Sequence, residues 1–275
     1  MRSRPRRPPK HILYQLSVQN PEFEVGFIRR VYKRQRGREP RRLREDFCGT
    51  GILACEWVRR IPDGEAVGLD LHAPTLEWGL EANVSRLDGK ADRVSLVECD
   101  VLDATGYEFA SGGPGADIVV AFNFSYFVFK ARQTLLDYCR RVHQTLDRGG
   151  LFFLDLYGGP EAQVEQEESR RVEEEGEEFD YVWDQAKYNP ITGETLCHIH
   201  FDFDDGTRMR RAFSYDWRLW SLPEIQDLLS EAGFRMVEVY WEGTDHSDGG
   251  GNGVFRRSTR GDDSRSWICY IVAVK

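Results

Sequence analysis

The stretch Leu43 to Val58, LREDFCGTGILACEWV, places Gly49 and Gly51 around Thr50, between a short strand and the first turns of a helix. Such a turn needs glycine for a backbone conformation with positive φ and for close approach of a ligand to the main chain. The free N–H groups and the positive end of the helix dipole then face one polar, partly anionic ligand. Asp70 follows 19 residues after Gly51, at the end of the apolar run Ala66-Val67-Gly68-Leu69. A carboxylate at that distance suits the hydroxyls of a ribose. Val94 to Cys99 is another strand-like run with an acid, Asp100, at its end, placed to accept from an exocyclic amine of a purine.

These residues need a frame that brings strand ends together. A short strand at 43–46 and apolar runs at 66–71, 94–99, 117–122 and 151–157 alternate with helical patterns at 52–60, 75–88 and 131–146. Continuous apolar strands separated by helices imply a mostly parallel sheet covered on both faces. Ligands in such sheets sit at the carboxyl ends of the strands. Gly49, Gly51, Asp70, Asp100, Asn123 and Tyr157 all fall at those ends.

The rhythm changes after residue 160. Residues 161–178 are glutamate-rich and read as a solvated helix or loop. Residues 179–183, 196–201 and 210–217 read as three antiparallel strands, with turn signals at Asn189-Pro190-Ile191-Thr192-Gly193 and Asp204-Asp205-Gly206. Ser221-Leu222-Pro223-Glu224 starts a helix with a capping box. Phe234 to Trp241 and Trp267 to Val274 are the last strands, separated by a Gly- and charge-rich loop over 242–265. Upstream, Asn20-Pro21 opens a helix whose apolar face is Phe23, Phe27, Ile28, Val31 and Tyr32. His11 to Val18 is a short apolar segment, and residues 1–10 read as disordered.

With 275 residues and 30% charged side chains, the chain is one large domain or one domain with an insertion. No apolar run approaches the roughly 20 residues of a membrane span, and no signal-type segment follows the basic start, which points to a cytoplasmic location. The six cysteines are scattered without a CxxC pair and read as reduced thiols. Residues 1–44 hold 14 Lys/Arg against 3 Asp/Glu, leaving the remainder at −20 for a total of −9. A basic arm on an acidic body suits either nucleic acid or the chain's own acidic surface.

Taken together, residues 40–275 resemble the class I S-adenosylmethionine-dependent methyltransferases. Glu45-Asp46-Phe47-Cys48-Gly49-Thr50-Gly51 is similar to that family's first motif, an acid followed by a glycine turn that holds the cofactor's amino-acid part. Phe47 stands where the family has its first glycine, so the acid is Glu45 or Asp46, and alternation favours Glu45. Asp70, with Leu71 beside it, matches the ribose acid, and Asp100 with Val101 the pair beside the adenine. Residues 146–151 resemble the turn before the fifth strand, and residues 220–234 the helix leading into the last two strands.

The resemblance implies an α/β, Rossmann-like seven-stranded methyltransferase sheet, mostly parallel with the last strand antiparallel, and an antiparallel β insertion after strand 5. The divisions are a basic arm and helix (1–42), a cofactor-binding core (43–160), the insertion as acceptor-site cover (161–219) and a C-terminal part completing the core (220–275). It implies S-adenosyl-L-methionine as cofactor, held by Glu45, Phe47, Cys48, Gly49, Thr50, Gly51, Asp70, Leu71, Asp100, Val101 and Asn123. In-line methyl transfer asks for alignment and exclusion of water more than for a base. Tyr126, Tyr157, His200 and Trp217 are therefore the acceptor-site candidates, with Trp183 and Tyr215 beside them. His198 and His200 alternate on one strand and share a face, but no third ligand is evident, so no metal is expected. The acceptor is expected to be a small molecule. The alternatives are an RNA methyltransferase using the basic arm and a non-catalytic cofactor-binding module. Neither the methylated atom nor the oligomeric state follows from the sequence.

Overall fold

The computed structural model describes residues 7–104, 106–245 and 250–275. The expectation of disorder for residues 1–10 thus lies outside the described residues for 1–6. The helices are α1 (Lys10–Val18), α2 (Pro21–Arg36), α3 (Ile52–Arg60), α4 (Ala73–Ala82), α5 (Arg132–Thr145) and α6 (Leu222–Glu231). The strands are β1 (Arg42–Asp46), β2 (Glu65–Asp70), β3 (Val94–Glu98), β4 (Ala116–Ala121), β5 (Leu146–Gly158), β6 (Gln166–Glu174), β7 (Glu177–Asn189), β8 (Glu194–Asp202), β9 (Arg208–Arg218), β10 (Met236–Thr244), β11 (Gly251–Ser258) and β12 (Trp267–Val274). They fall into two compact units, one built from residues 21–162 and 220–275 and the other from residues up to 20 and 163–219.

The larger unit carries one eight-stranded sheet in the order β11-β10-β12-β5-β4-β1-β2-β3. From β3 through β5 neighbouring strands are parallel, and β12 lies antiparallel between β5 and β10. The seven-stranded order implied by the sequence is present, and β11 adds an eighth strand, antiparallel to β10, inside the segment read as a loop. Its sequence, GNGVFRRS, lacks an apolar run because it is an edge strand, mostly exposed. In contrast β4 is buried at every residue. Trp57, Phe27, Phe153, Ile118 and Val272 belong to the core on one side of this sheet. The chain runs outward from β1 to β2 and β3 on one side and from β4 to β5 on the other, so the direction of winding reverses between β1 and β4. The parallel pairing puts the carboxyl ends of these strands along one edge.

The smaller unit is a four-stranded antiparallel meander, β6-β7-β8-β9. The glutamate-rich run is neither helix nor loop: it forms edge strand β6, paired with β7 over nine residues. Only Val172 of that strand is buried, and charged residues on both sides keep the edge from pairing further. The segment at 11–18 is a helix, α1, whose Leu13 packs in a core with Val172, Phe179, Ile199 and Phe201.

Candidate functional site

The glycine turn joins β1 to α3. Gly51 takes φ +65° at the helix start, and a Cβ there would lie 2.6 Å from the Leu96 side chain. Phe47, in the place of the family's first glycine, takes φ +59°. The left-handed conformation is thus kept without the residue that adopts it freely. The half-buried ring rests 5.8 Å from Phe129 and 5.9 Å from Tyr138. On the other side, α4 presses against the turn through Gly79, where a Cβ would stand 2.4 Å from the Thr50 carbonyl oxygen. Asn83 donates to that same oxygen at 2.9 Å. Cys48 and Thr50 are buried, so they present backbone rather than side chains.

Asp70 reaches back to this turn. Its Oδ2 accepts the Gly49 N–H at 2.8 Å and its Oδ1 the His72 N–H at 2.9 Å. Two backbone donors fix the carboxylate while leaving further lone pairs for hydroxyl donors. Next to it Leu71 is 66% exposed, an apolar side chain with no cover. The Cys99 N–H donates to the Asp70 carbonyl, which aligns the tips of β2 and β3. Asp100 is exposed and caps the Leu102 N–H at 2.8 Å, whereas the Val101 side chain is buried.

Glu45 and Asp46 have different fates. Asp46 is bound by the fully buried Arg44, at 2.8 and 2.9 Å, and accepts the Tyr138 hydroxyl at 2.8 Å. Among the described residues Glu45 accepts only the Ala54 N–H of α3, at 3.1 Å. Burial, opposed by that hydrogen bond, and the charges of Glu24 and Asp70 hold its carboxyl well above the usual range. Of the two acids, Glu45 is the one not already committed to a guanidinium.

Two further acids at these strand ends escaped the sequence reading. Asp155 sits near the end of β5, where its two oxygens accept the N–H groups of Asn123 (2.7 Å) and Phe124 (2.9 Å). Both residues are left-handed, at φ +56° and +57°. Burial pushes Asp155 up to about 7 against the pull of those two N–H donors. Glu24 lies on the inward side of α2 and is 7% exposed; burial and Asp155 push it up to about 8. The signals were there: Asp155 is the one charge in LFFLDLY, and Glu24 shares helical spacing with Ile28 and Val31.

The acceptor-site candidates separate. Tyr126 is fully buried and donates to the Asp155 carbonyl at 2.8 Å, a core role rather than a ligand-facing one. Tyr157 packs edge-on to Phe124 at 4.7 Å. His200 and Trp217 belong to the smaller unit. Trp217 stacks on Tyr215 at 4.3 Å, with Trp183 alongside at 6.3 Å. His200 Nδ1 accepts the Arg211 N–H at 2.7 Å. That bond assigns the proton to Nε2, which donates to Asp184 at 3.2 Å. Both nitrogens are used, and neither offers a lone pair to a substrate. His198 is buried against Ser214 at 2.8 Å, and burial together with Arg211 lowers its pKa.

The third metal-ligand candidate missing from the sequence is Glu167, whose carboxylate lies with those of Asp184 and the His200 ring within 4.8 Å. A ligating histidine donates from its second nitrogen, whereas Nδ1 of His200 accepts. Arg208 also pairs with Glu167 at 2.9 Å. The trio is therefore a hydrogen-bonded charge cluster. The described part of the basic arm turns to its own unit: Arg7 pairs with Asp205 at 3.1 Å and Lys10 lies 4.9 Å over the Phe213 ring.

The fold is shared with solved structures. CalS10, an amino pentose methyltransferase from Micromonospora echinaspora solved with its cofactor bound, superposes with a TM-score of 0.66 at 16% identity over 100% of this chain and 99% of that one. DesVI from Streptomyces venezuelae gives 0.67 at 18% identity, over 97% and 96%. The sugar N-methyltransferase KedS8 from a Streptoalloteichus species gives 0.62 at 18%, over 96% and 92%. The chain has the S-adenosylmethionine-dependent methyltransferase fold. No protein-family model matches the chain, and no curated protein matches it in sequence. The fold extends over both units, since the matched structures are covered nearly end to end.

Proposed function

We propose that the chain is a methyltransferase that uses S-adenosylmethionine and acts on a small-molecule acceptor, in the first instance an amine of an amino sugar. The observation that carries the cofactor reading is the set of strand-end carboxyls. Glu45 and Glu24 are buried with no cation paired to either among the described residues, and Asp70 is fixed beside the glycine turn. A ligand bearing a positive amino-acid end and a ribose fits these groups; a dinucleotide with its negative pyrophosphate does not. The Gly49–Gly51 backbone cradles the amino-acid part, Asp70 accepts from ribose hydroxyls, and the exposed Leu71 covers a flat base. Bound there, the cofactor supplies a methyl group already activated by the sulfonium.

The chain's own contribution is alignment and exclusion of water. Asp155 holds the β4 tip at Asn123 and Phe124, and Phe124 with Tyr157 gives that tip an aromatic wall. The acceptor class is taken from CalS10, an amino pentose methyltransferase, and KedS8, a sugar N-methyltransferase. The test is incubation with isotopically labelled S-adenosylmethionine and a panel of amino sugars and simple amines, followed by mass analysis. Label appearing on an amine supports the assignment. Label confined to hydroxyl or thiol products rejects the amine class, and cofactor binding without any turnover on the panel or a cell extract favours a binding module.

A further inference from the structure

We propose that Glu24, presented from α2, is a second carboxylate ligand for the cofactor's α-ammonium group, acting together with Glu45. The proposal rests on the cofactor reading above. Asp46 is neutralised by Arg44. Asp155 is occupied by two backbone N–H groups, Asp70 by two more, and Glu45 by one. Glu24 alone among them has no hydrogen bond or ion pair among the described residues, although it is more than nine-tenths buried. A buried carboxyl with no partner resists ionisation, and a ligand that brings a positively charged donor removes that resistance.

The placement of α2 directs that carboxyl to the site. Phe23 and Phe27 bracket Glu24 in sequence, and both rings pack on Tyr270, at 6.2 and 4.8 Å. Tyr270 is the register partner of Asp155 across β12 and β5. Glu24 therefore sits over the end of the sheet that holds Asp155. Of the carboxylates acting on Glu45, Glu24 acts most strongly, ahead of Asp70 and Asp46. The titratable groups facing Glu24 are Glu45 from β1, Asp155 from β5 and Tyr270 from β12. All three are acids, and none supplies a positive charge. An ammonium has three N–H donors and one charge, so it can serve two carboxylates at once. A sulfonium has no donor and meets only the electrostatic half of that requirement.

The test compares two probes on the full chain without any acceptor. S-adenosylhomocysteine carries the α-ammonium; 5′-methylthioadenosine lacks the amino-acid part. Calorimetry in buffers of different ionisation enthalpy also counts protons released on binding. For wild type near pH 7, S-adenosylhomocysteine should release protons as Glu24 ionises against the ammonium. Glu24→Gln keeps the side-chain shape, and its melting temperature checks folding. It should weaken S-adenosylhomocysteine roughly 10- to 100-fold, cut the proton release by close to one, and leave methylthioadenosine within about twofold. Unchanged S-adenosylhomocysteine binding and proton release in the variant overturns the proposal. So does an equal loss of both probes, which would mark a packing role. Absence of S-adenosylhomocysteine binding to wild type overturns the cofactor reading, and the proposal falls with it.

Discussion

Replacing Asp155 by Asn isolates what holds the tip of β4. The carboxylate accepts from Asn123 and Phe124 through separate oxygens. An amide of the same shape keeps one acceptor and turns an NH2 toward the other N–H. One backbone donor in a buried setting is then left unsatisfied, which costs about 1–3 kcal/mol. The two left-handed residues also lose the contact that over-determines them. For a unit of this size about 1 kcal/mol moves the melting temperature by ~2–4 °C, so Asp155→Asn should lower it by roughly 2–12 °C. The assay is a thermal melt near pH 4, close to the ordinary aspartate value and below the value near 7 to which burial raises Asp155, so that the charge penalty accruing between the two does not offset the lost acceptor. S-adenosylhomocysteine binding should weaken in parallel, because Asn123 lies at the same strand end. A melting temperature unchanged within a degree would refute the idea that Asp155 secures this turn.

Three other outcomes follow from the same geometry. Gly79→Ala puts a Cβ 2.4 Å from the Thr50 carbonyl oxygen, so α4 or the glycine turn must move; S-adenosylhomocysteine affinity should fall at least about tenfold, with stability lower by roughly 1–3 kcal/mol. At Phe47 the left-handed backbone inverts the usual order of small residues: Phe47→Gly should melt higher than Phe47→Ala by an amount worth about 1 kcal/mol, and the reverse order would show that the turn relaxes to negative φ. The acids at the site also make the ligand-free protein pH-sensitive. Glu24 and Asp155 have folded-state pKa values raised from 4.5 to about 8 and from 3.8 to about 7. Their contribution to stability is complete below the unfolded values and is lost as pH rises through the folded ones, at up to ~1.4 kcal/mol per pH unit for each group. Denaturant midpoints should therefore decline between pH 5 and 8 and decline less in Glu24→Gln; a rise across that window contradicts the burial of these acids.

What could be read without coordinates was whatever repeats a period or a spacing. β2, β4 and β5 announced themselves by their apolar runs, β1 by the glycine turn that follows it, and Asp70 by its distance from Gly51. β6 and β11 were missed because edge strands bury little: Val172 alone marks one, and β11 has no buried residue. The choice between Glu45 and Asp46 rested on alternation; the physical reason, the capture of Asp46 by Arg44, is a contact between side chains. Tyr126 looked available at a strand end, yet its hydroxyl is turned inward to the Asp155 carbonyl. His200 looked available to an acceptor, but the Arg211 N–H fixes its tautomer across a bulge in the β8–β9 pairing. Glu24 was hidden by its type, since a glutamate near a helix start ordinarily faces water.

The most direct measurement is calorimetric titration of the full chain with S-adenosylhomocysteine, set beside Asp70→Ala. Saturable one-to-one binding to wild type, weakened at least tenfold by the substitution, is the predicted result. Wild type that takes up no S-adenosylhomocysteine, or a variant that takes it up equally well, contradicts the account.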